Sequence, residues 1–316
     1  MKWPVTFFIL ICAALACSKS KPVTPPPPPP PPPPADTTIY IGGSSTNIKA
    51  SGIGVVWKNG FASPVPDSSM IISLSYTGTS LYALGISGNY SVNGVQPALQ
   101  NPYIGAAILA TGTDVYIPSR SQIFPGDAIY WKSGQIINLS NNSHTSFYSG
   151  NANGIAQSGS DIYICGSIRE TVDSDYKAVY WKNDSIHYIP NGYVVWYITV
   201  SGDNVYIGGS AGPLYAYWVN GQVNRLTTSD IVTGIAVSGS DVYVCGYNEH
   251  GFNTGFYLKN GQKTFLPSSL AVSGIAVLGS DVYCVGSDNS GNAVYWENTD
   301  MHILGPGSAN CILIHL

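Results

Sequence analysis

The sequence predicts an all-β chain: a seven-bladed β-propeller with four antiparallel strands per blade, closed by N- and C-terminal strands that share one blade. Three observations carry this expectation. One sequence element recurs seven times, a second element follows each copy, and no helical period appears beyond the first residues. Composition agrees: only 9% of residues are charged, while Gly (35) and Tyr (22) abound, as in a turn-rich β protein.

The first element is clearest in Gly234-Ile-Ala-Val-Ser-Gly-Ser-Asp-Val-Tyr-Val-Cys-Gly246, with near copies at Gly154–Gly166 and Gly274–Gly286. Its tyrosine returns at Tyr40, Tyr82, Tyr116, Tyr163, Tyr206, Tyr243 and Tyr283, a spacing of about 40 residues that suits one propeller blade. The second element reads Val56-Trp57-Lys-Asn-Gly60, Tyr130-Trp131-Lys-Ser-Gly134, Tyr180-Trp181-Lys-Asn-Asp184, Tyr217-Trp218-Val-Asn-Gly221, Tyr257-Leu258-Lys-Asn-Gly261 and Tyr295-Trp296-Glu-Asn-Thr299. The second unit keeps only Ser91-Val92-Asn93-Gly94. Each unit therefore reads as an inner Gly-Ile-Ala-Val strand, a Ser-Gly-Ser-Asp turn, a Tyr-containing strand, a variable loop, a Tyr-Trp strand, an Asn-Gly turn and a fourth strand. The body begins in a second-strand element, Thr38–Gly43, and ends in an inner-strand element, Asn310–Leu316. Pairing the two would complete a blade and remove two open edges.

The inner strand followed by a Tyr-Val strand resembles the NHL-type propeller repeat. The Tyr-Val-x-Gly and Tyr-Trp-Lys-Asn-Gly pair resembles repeats of lipoproteins from Bacteroidetes-like bacteria. The likeness covers residues 37–316 and implies fold only, because Gly or Cys-Gly stands where NHL repeats often carry Asp.

Ahead of the body, residues 1–16 read as a signal peptide: Lys2, then an apolar run from Trp3 to Ala16, too short to span a bilayer. Ala16-Cys17 resembles the lipobox of bacterial lipoproteins, which implies lipidation of Cys17. Cleavage at Ala14-Leu15-Ala16 without lipid is the other reading. Residues 17–35 form a linker containing the unbroken run Pro25–Pro34, a polyproline II spacer of about 30 Å. Residues 36–316 are the propeller. They hold all 17 acids, which outnumber their cations because Lys2, Lys19 and Lys21 lie in the leader and linker. An acidic body without a basic run argues against nucleic acid as a partner.

Few residues point to chemistry. Cys165 and Cys245 occupy a repeat position that Gly42 and Gly208 fill elsewhere; with Cys284 and Cys311 they read as packing residues, since equivalent positions in separate blades lie beyond disulfide reach. The Tyr-Trp pairs read as filling between blades. Asp114, Asp161, Asp241 and Asp281 read as turn residues bonding the local backbone rather than as calcium ligands. The histidines, His144, His187, His250, His302 and His315, fall at unrelated repeat positions without ligand spacing, so no metal site is expected. No phosphate loop, Gly-x-Ser-x-Gly or dinucleotide fingerprint occurs in context, so no cofactor is expected.

What remains is asymmetry between the rims. The tight turns are nearly constant. The loops Pro118–Asp127, Asn141–Asn153, Ser167–Lys177 and Tyr247–Gly255 vary in length, charge and aromatic content. Trp196 precedes its inner strand where Ile72, Ala106, Asn153, Thr233 and Ser273 stand in other units. A ligand is expected to meet Trp196 together with Arg120, Phe124 or Arg169; the other reading makes Trp196 a channel plug. Thr37 and Ser185, in Asp36-Thr37-Thr38 and Asp184-Ser185-Ile186, resemble Asp-Ser/Thr-apolar glycosylation sites of Bacteroidetes-like bacteria. The expected function is a monomeric, lipid-anchored outer-membrane protein, periplasmic or surface-exposed, that binds a protein or glycan through its long-loop rim. An extracytoplasmic lyase or hydrolase at the channel mouth, or a structural or adhesive surface protein, are the alternatives.

Overall fold

The computed structural model describes residues 37–46, 52–98, 103–122, 126–142, 147–227, 229–250 and 254–316. Cys17 and Phe124 lie outside them. The described strands form six antiparallel sheets. Sheet 1 has seven strands in the order Ser269–Leu278, Asp281–Asp288, Asn292–Glu297, Asp300–His315, Thr38–Ser45, Ile53–Lys58 and Phe61–Pro64. Sheet 2 is Ile71–Thr77, Ser80–Gly85 and Tyr90–Val92. Sheets 3 to 6 are four-stranded and begin at Leu109–Thr111, Ser149–Ser158, Val194–Ser201 and Asp230–Ser238. The first strands of sheets 4, 5 and 6 pack side by side in chain order, and Leu109–Thr111 packs on Ile71–Thr77 of sheet 2. Ser269–Leu278 follows that of sheet 6, and the end of Asp300–His315 returns to Ile71–Thr77. The body is a β-propeller with four-stranded antiparallel blades.

The termini pair as expected. Thr38 lies opposite His315 and Ser45 opposite Gly307, while Asn292–Glu297 pairs with the Asp300–Pro306 half of the same long strand. Sheet 2 departs from the four-strand expectation. Among the described residues the chain just beyond Gly94 makes an isolated bridge, Val92 to Val95, and then meets Pro97, which has no N–H for a ladder. A short helix, Leu139–Asn142, replaces the expected loop after the fourth strand of sheet 3.

The repeated residues have repeated tasks. At the Asn-Gly turns, Asn59, Asn93, Asn183, Asn220, Asn260 and Asn298 have φ between 47° and 59°, and Ser133 has 42°. Asn tolerates this left-handed region better than most residues. It also closes a clamp. The Asn260 N–H donates to the Val242 carbonyl at 2.9 Å, and the Asn260 side-chain oxygen accepts the Val242 N–H at 2.9 Å. The same pair of bonds joins Asn59 to Ile39, Asn93 to Leu81, Asn183 to Ile162, Asn220 to Val205 and Asn298 to Val282. The third–fourth turn is thereby pinned to the start of the second strand.

The turn aspartates do not bond their local backbone as expected. Asp161 accepts from the Asn183 amide at 2.7 Å and from Lys182 at 2.8 Å; Asp241 does the same with Asn260 at 2.7 Å and Lys259 at 2.9 Å. These pairs are about one-third exposed or more, so each adds little stability. Their effect is to fix the hairpins' relative register.

The Tyr-Trp reading holds. Trp57, Trp131, Trp181, Trp218 and Trp296 are at most 2% exposed and fill the gaps between sheets. Trp218 packs with Tyr163, Ala178 and Ile189 of sheet 4, and Trp181 with Tyr116, Tyr130 and Leu139 of sheet 3. Such burial is worth roughly 2–3 kcal/mol per large side chain. Cys165, Cys245 and Cys284 are fully buried and free, and Cys311 is half-buried and free. Burial pushes the thiols of Cys165, Cys245 and Cys311 up to about 12, which fits packing rather than reactivity. One expectation fails: His187 and His302 share a repeat position, each stacked on the Tyr of its Tyr-Trp pair at 4.7 and 4.5 Å.

Candidate binding site at the loop rim

Every inner strand with a complete ladder carries a bulge at the same repeat position, and Ser269–Leu278 carries a second one at Leu270. The ladder skips Ile72, Asn153, Trp196, Thr233 and Ser273, and Asn310 in the strand shared by the termini. These are the positions that sequence counting aligned, now with a physical identity. A bulge rotates its residue out of the alternating ladder and re-aims the side chain. Here all six line one axial cavity of about 520 Å³, with Met70, Ala106 and Tyr197 among the other walls. Asn153 was expected in a loop; it sits mid-strand because Ser149–Ser158 is longer than its apolar core suggested. The second strands likewise extend to Arg120, Arg169 and Asn248, which shortens three of the four expected loops.

The bulge explains the glycine of the Tyr-Val-x-Gly motif. A Cβ on Gly246 would lie 1.8 Å from the Ile231 carbonyl oxygen; on Gly166, 1.9 Å from that of Asn151; on Gly286, 2.0 Å from that of Ala271; on Gly43, 1.9 Å from that of Ser308. The bulge thrusts an inner-strand carbonyl onto the neighbouring strand, and only a residue without Cβ tolerates it.

Among the described residues the cavity lining contains no Asp, Glu, Lys, Arg or His. Its polar groups are amides and hydroxyls. The Asn153 side chain donates to the Val195 carbonyl at 2.7 Å, and Asn310 donates to the Ile71 carbonyl at 3.1 Å, each lacing one inner strand to the next. Trp196 is half-buried and stacks on Tyr215 with centroids 5.9 Å apart and planes 28° apart. Tyr215 stands three residues before Trp218, where Gly54, Ala128, Ala178, Gly255 and Ala293 precede Trp57, Trp131, Trp181, Leu258 and Trp296. Two large rings thus replace two small residues and meet each other. That substitution was a legible signal for Tyr215, which the sequence reading missed. The Tyr215 phenol is held above its ordinary range by burial, and then by Tyr247 and Glu249 of the next sheet. The Tyr197 phenol is raised further, again chiefly by burial.

The arginines are elsewhere. Arg169 braces its own loop: its Nε donates to the Ser174 carbonyl at 2.9 Å and a terminal nitrogen donates to the Val172 carbonyl. Its guanidinium lies over Tyr148 and Tyr176, 6.0 and 5.4 Å from their centroids, and Tyr176 meets Tyr193 edge-on at 5.8 Å. Arg120 is exposed at the end of its strand, beside Gly126. Neither arginine lines the cavity. Asp230, at the rim end of its strand, is 3% exposed and paired with Lys263 at 2.5 Å. Burial raises the Asp230 carboxyl, but bonds from Lys263, Thr227 and Asn248 outweigh it and hold it below its ordinary range. Among the described residues no group of His, Cys, Asp and Glu could hold a metal ion. Thr37 is half-buried, and Ser185 is exposed at the start of a hairpin strand.

No protein-family profile matches the chain, and no curated protein does. Solved structures similar to it include a chain of the nidogen/laminin complex, at 11% identity and TM-score 0.48, covering 89% of this chain and 98% of that one. The β-propeller domain of the trilobed protease from Pyrococcus furiosus, with an open velcro topology, is similar at 12% identity and TM-score 0.48, covering 72% and 79%. Apo AztD from Citrobacter koseri is similar at 10% identity and TM-score 0.45, covering 88% and 98%.

Proposed function

We propose that this chain is a lipid-anchored, seven-bladed propeller that binds a protein or glycan partner at its loop rim, centred on Trp196 and Tyr215. The blade count treats sheet 1 as two blades that share the 16-residue strand Asp300–His315. Its first half completes one blade as outer strand, and its second half starts the next as inner strand. The partner surface rests on one observation above all. The Trp196–Tyr215 stack replaces small residues at two aligned repeat positions, at the wall of an uncharged cavity. Packing does not require that replacement, since the other blades close without it. A rigid scaffold presenting an irregular rim is a frequent recognition arrangement, and aromatic residues dominate binding hot spots. The lining supplies no acid or base, which favours binding over catalysis.

A glycan array and a pull-down would identify the partner. Trp196→Ala is then expected to weaken binding by more than about 1 kcal/mol with the thermal midpoint nearly unchanged. A large fall in midpoint would make Trp196 a structural plug. Anchoring has its own test. The protein is expected to fractionate with membranes and Cys17→Ser to become soluble; identical fractionation of the two would remove the lipid from the proposal.

A further inference from the structure

The gaps between successive sheets hold a second set of concavities, on the tight-turn side. One of about 500 Å³ lies between sheets 4 and 5, lined by Tyr180, His187, Pro190, Asp203, Trp218 and Gly221 among others. One of about 230 Å³ lies between sheets 3 and 4, at the equivalent residues Tyr130, Trp181 and Asp184. A third, of about 180 Å³, lies where Thr38–Ser45 and Ile53–Lys58 face sheet 2. The place is a feature of the repeat; its contents differ.

Three residues set the first groove apart. Asp203 stands at the inner hairpin turn where Thr79, Thr113, Ser160, Ser240 and Ser280 stand in other units. Gly221 adds no side chain at its turn, whereas at that place in the groove between sheets 3 and 4 the Asp184 carboxylate lines the wall and, after burial, helps to raise the Tyr130 phenol above its ordinary range. His187 lies flat on Tyr180, centroids 4.7 Å apart and planes 9° apart, as His302 does on Tyr295, where Ser63, Ile137, Asn224 and Thr264 pair with the corresponding residue; among the three grooves only this one combines the histidine with Asp203 and Gly221. Neither the His187 ring nor the Asp203 carboxylate has a side-chain hydrogen bond or ion pair among the described residues, and no described Lys or Arg lines the groove.

We propose that this groove is a binding site for a neutral saccharide ring. Tyr180 holds the exposed His187 ring parallel to its own, and the imidazole's outer side gives one flat wall, a surface on which the C–H face of a pyranose packs. The Asp203 carboxylate and the imidazole nitrogens supply acceptors and donors for its hydroxyls. An anion would meet a carboxylate with no cation to offset it. A quaternary ammonium ion needs ring faces converging around it, which a single wall does not provide. The volume lies in the range of small-molecule sites, about 300–1,000 Å³. The site is separate from the loop rim and does not rest on the function proposed there.

Titration of the full-length protein with D-glucose, D-galactose, D-mannose and N-acetyl-D-glucosamine, followed by saturation-transfer NMR and the His187 ring signals, tests this. At least one sugar is expected to bind with a millimolar dissociation constant and to move the His187 signals. His187→Ala and Asp203→Asn are each expected to weaken it about tenfold or more, with thermal midpoints unchanged because both side chains are exposed. Three results would overturn the assignment: no sugar binding tighter than about 50 mM, binding that survives both substitutions, or His187 signals that respond to choline or inorganic phosphate but to no sugar.

Discussion

Removal of residues 310–316 is expected to abolish most of the stability of the body. That segment pairs with Thr38–Gly42 along its length, and Asn310 donates across to the Ile71 carbonyl. Cys311 and Leu313 pack on the cluster of Tyr40, Val56 and Ile71, and Ile312 on that of Ile41, Val55 and Trp57. Losing it strips several apolar side chains at about 1.5–3 kcal/mol each and a row of ladder bonds at about 1 kcal/mol each. It also leaves Thr38–Gly42 as an open edge and breaks the ring of inner strands at one place. The sum is comparable to the whole stability of an ordinary domain, about 5–15 kcal/mol. Thermal and urea unfolding of the truncated and complete chains measures it. A truncated chain that melts like the complete one would mean that pairing of the termini is not what holds the ring.

Much of this architecture was legible because each blade repeats one set of local instructions. Asn-Gly marks a left-handed turn, Tyr-Trp marks a strand that fills the gap between blades, and counting from the turn aligns Trp196 with Asn153, Thr233 and Ser273 in the sequence itself. The bulge at those positions was not legible. It is a relation between two strands, visible only when the Ile231 carbonyl is seen against Gly246. The aspartate–lysine pairs escaped for the same reason, since Asp161 and Lys182 meet only once the register of the intervening strand is fixed. Loop lengths were overestimated because the second strands stay in the ladder despite their polarity: Ser167 is paired on both sides, and Arg169 pairs with Ser149 of the lengthened inner strand. His187 and His302 could have been matched: each lies six residues beyond its Trp. The fourth strand carries no motif, so nothing prompted that count. Of the expected rim contacts, Trp196 lines the cavity while Arg120 and Arg169 lie away from it. The length of a charged loop does not say whether its arginine faces outward or, like Arg169, braces the loop from within.

The same bulge yields the second large expected effect. Gly246→Ala should lower stability by about 3 kcal/mol, and Gly274→Ala by less than about 1 kcal/mol. Both glycines lie in strands of the repeat, and neither has a positive φ, so backbone preference does not separate them. Space does. A Cβ at 274 would find its nearest neighbour, the Asn310 carbonyl oxygen, at 3.3 Å, whereas at 246 it would meet the Ile231 oxygen at 1.8 Å. Relief at 246 requires the two strands to part by more than about 1 Å, at a site where overpacking costs typically 1–3 kcal/mol and sometimes more. The inner strand has nowhere to go, because Val232 and Val244 beside it are buried against Tyr206 and Phe256 of the same cluster. At about 2–4 °C per kcal/mol for a body of this size, the midpoint should fall by roughly 6–12 °C for Gly246→Ala and by a few degrees at most for Gly274→Ala. Equal shifts for the two would show that the carbonyl moves aside freely, and the bulge would then lose its claim to hold the cavity side chains in place. A large shift at 246 alone would tie the glycine of the motif to the bulge it faces, and through the bulge to the direction in which Thr233 and, in the preceding blade, Trp196 point.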